Sequence, residues 1–236
     1  MMNIIVVGGT NSQKLARNVA KLLKAPYSAL EAKFFPDGEI KVRYRDDVAG
    51  KHVVLINGLR PLPNEKLLES VFAIQAAKDL GASKVTFVAP YLAYMRQDKR
   101  FHPGECVSAH AMARLLDCAD HVIAIDPHLH RIKKLQDIFR TRATSITADP
   151  VFADYIRKNY PRAIIIGPDS ESSQWAKTIA DRIGQESIIL SKKRYTARKV
   201  RTIIHGDPTR FKNRDVVIID DIISTGHTMT EPIMQL

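Results

Sequence analysis

The chain has 236 residues, with 36 Lys and Arg against 25 Asp and Glu, a net charge of +11 with the histidines neutral. Hydrophobic residues make up 45% and charged residues 26%, which excludes a disordered or collagen-like chain. No apolar run approaches the ~18 residues that a membrane span requires, and the length suits one large domain or two small ones.

Short β-branched runs bounded by turn residues alternate with segments of helical period. In chain order the pattern predicts a strand at Ile4–Val7, a helix at Ser12–Leu23, strands at Ile40–Tyr44 and Val53–Ile56, and a helix at Asn64–Leu80. A strand at Val85–Val88, a helix at Cys106–Leu116, a strand at Val122–Ile125 and a helix at Pro150–Asn159 follow. The pattern ends with a strand at Ala163–Ile166, a helix at Ser172–Ile183, strands at Ser187–Leu190 and Val216–Ile219, and a helix start at Thr228. Asn64 reads as an N-cap, with Leu67, Leu68, Val71 and Ile74 keeping the 3.6 period. Asp149 reads as a cap followed by Pro150 at the first helical position. Strands such as VVIID are apolar throughout, as expected when both faces are covered. Alternating strands and helices imply an α/β fold with mostly parallel sheets. His121–Asp126 (HVIAID) is similar to Asp215–Asp220 (DVVIID), and Val85–Pro90 (VTFVAP) to Ile164–Asp169 (IIIGPD). Two similar halves, residues 1–145 and 146–236, are therefore expected.

The charge is local. Lys192–Arg214 holds nine Lys and Arg and one acid, so 23 residues carry +8 and the remainder of the chain only +3. An anionic partner is expected. The segment has only Tyr195 and Phe211 as aromatics, too few for a base-stacking platform, so no nucleic acid is expected, and no membrane. Cys106 and Cys118 have no metal-ligand or CxxC spacing, and MMNIIVVGG lacks the basic flank of a signal peptide. A reduced, cytoplasmic protein is the expectation.

The most informative segment is Val216–Met229, VVIIDDIISTGHTM. An apolar strand ends in Asp220 and Asp221, which serve one ligand only if the chain turns there. Ser224, Thr225, Gly226, His227 and Thr228 then precede a helix start, an anion cradle of hydroxyls and N–H groups. Carboxylates beside such a cradle suit sugar hydroxyls or a metal, and the whole suits a sugar phosphate.

This segment resembles the phosphoribosyl diphosphate signature shared by phosphoribosyltransferases and ribose-phosphate pyrophosphokinases. Phe35–Glu39 (FPDGE), Pro90–Arg100 (PYLAYMRQDKR), Asp126–His128 (DPH), Gly167–Asp169 (GPD) and Lys192–Arg194 (KKR) resemble the pyrophosphokinase pattern, in order along almost the whole chain. The resemblance implies two type I phosphoribosyltransferase-like domains, the second cut short at its C-terminus. It implies transfer of the pyrophosphoryl group of Mg-ATP to ribose 5-phosphate, with Mg²⁺ as cofactor and at least a homodimer. By the same resemblance Phe35, Asp37 and Glu39 meet the adenine of ATP, often on a neighbouring subunit. Arg96, Gln97 and Asp98 serve the nucleotide, His128 and Asp169 border the Mg²⁺–triphosphate, and Lys192 and Arg194 stabilise charge on the transferred phosphates. Asp220, Asp221 and residues 224–228 hold ribose 5-phosphate. Read from residues alone, FPDGE is also an ordinary turn and the basic run a solvated loop.

The chain departs from the family pattern in Ser170-Glu171-Ser172, where a glycine pair is common, and in His227, where glycine is usual. It stops at Leu236, where family members continue, so missing edge strands and low stability without oligomer contacts are expected. A catalytically silent subunit and a phosphoribosyltransferase are the competing readings.

Overall fold

The structure is a computed structural model that describes residues 3–168, 172–196, 199–203, 211–223, 226 and 230; along 191–203 it describes the backbone. The chain divides into two units, Met1–Ile146 and Thr147–Leu236.

In the first unit β1 (Ile4–Gly8) leads to α1 (Gln13–Leu23) and β2 (Tyr27–Ala29), and a hairpin of β3 (Glu31–Phe34) and β4 (Ile40–Arg43) follows. Next come β5 (His52–Ile56), α2 (Pro63–Asp79), β6 (Lys84–Ala89), α3 (Ser108–Leu116), β7 (His121–Ile125) and β8 (Arg142–Ile146). Six strands form a wholly parallel sheet in the order β2-β1-β5-β6-β7-β8. The order reverses between β1 and β5, and the crevices of such sheets lie at the C-terminal strand ends. Its central residues, among them Val7, Val53, Leu55, Val85 and Phe87, are fully buried, as their continuous apolar sequence requires. Small residues Ala16 and Ala20 let α1 pack closely against β1.

The second unit contains α4 (Asp149–Asn159), β9 (Ile164–Gly167), α5 (Ser173–Ile183), β10 (Ser187–Ile189), β11 (Ser191–Thr196), β12 (Lys199–Ile203) and β13 (Val216–Ile218). Here β10, β9 and β13 form a parallel sheet, while β11 and β12 pair antiparallel beside it in sequence. β9 is buried along its whole length.

The two units repeat, in a register different from the one the sequence suggests. β9-α5-β10, a hairpin and β13 correspond to β1-α1-β2, a hairpin and β5. Backbone details match: Leu30 donates to the Gly8 carbonyl and Leu190 to the Gly167 carbonyl, both at 2.9 Å. Ala25 closes on the Ala20 carbonyl and Gln185 on that of Ala180, both at 3.0 Å, after left-handed Lys24 and Gly184. The sequence pairing of β7 with β13 and of β6 with β9 reflects a shared apolar character of parallel core strands, not shared position.

Several local expectations are corrected. The cap of α2 is left-handed Leu62 with Pro63 at the first helical position; Asn64 lies inside the helix and its side-chain oxygen Oδ1 accepts the Tyr94 hydroxyl. α4 begins at Asp149 itself, with Ala148 as its cap. The core face of α2 carries Leu67, Glu69, Ser70, Ala73, Ile74 and Ala77, whereas Leu68 and Phe72 are exposed. The Ile40–Tyr44 strand ends at Arg43 and belongs to the hairpin rather than the sheet. β2, β3, β8, β11 and β12 were not expected from the pattern.

Candidate active site

In FPDGE the residue types explain the turn. Pro36 restricts φ, and Gly38 adopts φ +91° with an N–H that donates to the Phe35 carbonyl at 2.9 Å. The Asp37 carboxylate accepts the Glu39 N–H at 3.1 Å. The tip projects Phe35, half-exposed, together with exposed Asp37 and Glu39. Phe34, Asp37 and Glu39 line a cavity of about 620 Å³ against Asn64, Leu68 and Phe72 of α2. Apolar walls with carboxylate acceptors suit a flat heterocycle bearing amino groups.

The segment after β6 is anchored rather than solvated. Leu92, Ala93 and Met95 are buried, which leaves Arg96, Lys99 and Arg100 exposed. The Gln97 side-chain carbonyl accepts the Ser108 hydroxyl at 2.5 Å, tying the segment to the start of α3. Asp98 is buried, and both its oxygens reach Arg131 Nη1, at 3.0 and 3.3 Å. Its Oδ2 also accepts the Arg131 main-chain N–H at 3.1 Å. Burial pushes the Asp98 carboxyl up, but the Arg131 N–H and guanidinium outweigh it and hold it below the usual carboxylate range.

The strand β7, parallel neighbour of β6, ends at Asp126, whose backbone turns left-handed at φ +40°. Pro127 is buried and His128 partly exposed. The Arg96–Arg100 segment and the His128 segment thus leave adjacent parallel strands at the same sheet edge, joined by the Asp98–Arg131 pair. Sequence reasoning missed Arg131; the signal was a lone acid within RQDKR that needed a cation from elsewhere in the fold.

In the second unit Asp220 and Asp221 follow β13, and the Asp220 side chain accepts the Asp221 N–H at 3.1 Å, marking the turn the sequence required. Gly226 adopts φ +80°, and its carbonyl accepts the Thr230 N–H at 2.8 Å. Gly167 ends the neighbouring β9. A Cβ there would lie 3.0 Å from Ile189 and 3.2 Å from Ser172, so the residue permits close packing. Asp169, Ser224, Thr225, His227 and Thr228, and the side chains of Lys192 and Arg194, lie outside the described residues. The backbone of Lys192–Arg194 is in β11, on the hairpin that corresponds to the FPDGE hairpin of the first unit. Among the described residues no cluster of three His, Cys, Asp or Glu could cage a metal ion.

A family model for the N-terminal domain of ribose phosphate pyrophosphokinase matches residues 4–119, and a phosphoribosyl transferase domain model matches residues 135–235. The chain belongs to the ribose-phosphate pyrophosphokinase family. A ribose-phosphate pyrophosphokinase of Methanothermobacter thermautotrophicus is 35% identical, over 95% of this chain and 77% of the relative. One from Methanobrevibacter smithii is 37% identical, over 97% of this chain and 80% of the relative. The crystal structure of phosphoribosylpyrophosphate synthetase from Mycobacterium smegmatis aligns with a TM-score of 0.80 at 29% identity, over 98% of this chain and 76% of that one. A pyrophosphokinase-family enzyme with mostly parallel α/β sheets is thus established. No described helix is long and apolar enough to cross a membrane.

Proposed function

We propose that this pyrophosphokinase-family enzyme transfers the pyrophosphoryl group of Mg-ATP to the anomeric hydroxyl of ribose 5-phosphate. The hydroxyl oxygen bonds to the β-phosphorus, the bond to the α-phosphate oxygen breaks, and AMP leaves as phosphoribosyl diphosphate forms. The observation that supports this most is the paired Asp220 and Asp221 just beyond parallel strand β13, followed by left-handed Gly226, whose carbonyl accepts the Thr230 N–H. That arrangement suits ribose hydroxyls on the carboxylates and the 5-phosphate on residues 224–228.

Positioning and charge neutralisation supply most of the catalysis of phosphate transfer. By the family resemblance Phe35, Asp37 and Glu39 serve the base, often of a nucleotide on a neighbouring subunit, and Arg96, Gln97, Lys192 and Arg194 serve the phosphates. Mg²⁺ enters on the nucleotide: it prefers oxygen ligands and keeps several waters. His128 and Asp169 are the protein groups assigned to meet it. Both cysteines are unpaired, in keeping with a cytoplasmic enzyme, and a homo-oligomer is assigned on family grounds.

AMP release in a coupled assay tests the reading. We expect AMP only when ATP, ribose 5-phosphate and Mg²⁺ are all present. No AMP from the full chain, with Lys192→Ala indistinguishable from wild type, would sink it; nucleotide binding without turnover would identify a silent subunit.

A further inference from the structure

We infer that Arg131 positions the nucleotide, its guanidinium meeting the polyphosphate at the ends of β6 and β7 while Asp98 holds it in place. The inference rests on the proposed function, in which the segment after β6 faces the nucleotide. Three observations carry it.

First, the pair is asymmetric. The Asp98 side chain is 2% exposed and the Arg131 side chain 40% exposed. A buried carboxylate is costly unless paired and hydrogen-bonded, and here Arg131 gives Asp98 both its main-chain N–H and a guanidinium nitrogen. Asp98 thus serves the nucleotide through Arg131: it fixes one nitrogen of a guanidinium on a side chain that is itself partly exposed.

Second, the guanidinium is oriented twice. Its carbon lies 5.6 Å from the centroid of the Phe101 ring, and the Lys99 ammonium lies 5.2 Å from the same ring. Glu105 accepts the N–H groups of Phe101 and His102 at 2.8 and 3.1 Å, which holds the ring's backbone. Two cations are thus brought to one aromatic platform.

Third, the balance of charge calls for an anion. Residues 96–102 and 126–134 hold six Lys and Arg against two Asp, and one of those acids is already spent on Arg131. A preformed planar fork among point charges recognises phosphate oxygens well.

Affinities of ATP, ADP and AMP for the full chain, measured calorimetrically with Mg²⁺, test this together with the KM of each substrate. Arg131→Ala should weaken ATP about 10–100-fold and AMP by less than about threefold, with the KM for ribose 5-phosphate unchanged. Arg131→Lys should recover part of the loss, because it restores charge without the fork. Asp98→Asn should weaken ATP in the wild-type background and do nothing more in the Arg131→Ala background. If the alanine variant does not fold, Arg131→Lys and Arg131→Gln carry the same measurement. Unchanged ATP affinity in a folded variant overturns the inference, as does an equal loss for ATP, AMP and ribose 5-phosphate, which is what a structural pair would give. Wild type that binds ATP through Arg131 yet releases no AMP would sink the proposed function and leave the role of Arg131 standing.

Discussion

The carboxylate of Glu69, fully buried on α2, accepts both the main-chain N–H and the hydroxyl of Thr10, at 2.8 and 2.7 Å. Lys66 donates to the same carboxylate at 2.8 Å, and Asn57 at 3.3 Å. The pair clamps the loop after β1 to the helix after β5, at the point where strand order reverses. Removing one member of a buried pair strands the other charge, so Glu69→Ala should lower unfolding free energy by about 3–5 kcal/mol. Urea titration reads this directly. A loss below about 1 kcal/mol would place the pair among surface ion pairs instead.

Gly9 lies in the loop after β1 and Gly58 in the loop between β5 and α2, and their substitutions should differ sharply. A Cβ at Gly9 would fall 2.3 Å from Asn57 Cγ, while at Gly58 the nearest atom is 3.7 Å away. Asn57 cannot withdraw without losing its bond to the Ser70 hydroxyl at 3.0 Å. Gly9→Ala should cost about 1–3 kcal/mol, in the range of overpacking, and Gly58→Ala within about 0.5 kcal/mol. Equal melting temperatures for the two variants would refute the contrast.

Stability should fall in mild acid. His52 Nε2 pairs with the Thr86 hydroxyl at 2.8 Å, and His121 Nε2 with that of Thr144 at 2.9 Å. Burial pushes both imidazoles below the ordinary 6.5; Lys84 adds to this for both and Arg142 for His121, while Asp120 opposes it at His52. The folded state therefore favours the neutral ring, and stability is lost as pH falls through 6.5, where the unfolded chain takes up the protons. Asp98 and Asp120 lie below 3.8, so their contribution is lost only in stronger acid. Melting temperature should drop between about pH 7.5 and pH 5, and less steeply in a His52→Gln, His121→Gln double variant.

The proposed role of the basic hairpin is electrostatic. Lys192→Ala and Arg194→Ala should each lower kcat about 10²–10³-fold, as loss of one preorganised donor does. Steady-state kinetics at saturating ATP check this; wild-type kcat in both variants would remove the hairpin from catalysis.

Much of the fold was legible because its signals are local. The continuous apolar runs of β1, β5, β6 and β9 announce strands covered on both sides, and the DDIISTG segment names its chemistry by contiguity. The misreadings share a different cause. Leu68 keeps the helical period read for α2, yet it is exposed while polar Glu69 and Ser70 are buried with Leu67 and Ile74, because partners 12 to 59 residues away satisfy them. The β3 strand of the hairpin is short and partly exposed, so neither alternation nor continuous burial marks it, whereas the alternating IKVR of β4 does.

The sequence by itself determined the family, the α/β class, the local character of the +11 charge and the order of the motifs along the chain. Only the tertiary structure decided which repeat pairs with which, that Glu69 and Ser70 join Leu67 and Ile74 on the buried side of α2, and that Asp98 is committed to Arg131. Strand neighbours and ion pairs across 33 residues are set by chain crossing and burial, and no local propensity encodes them.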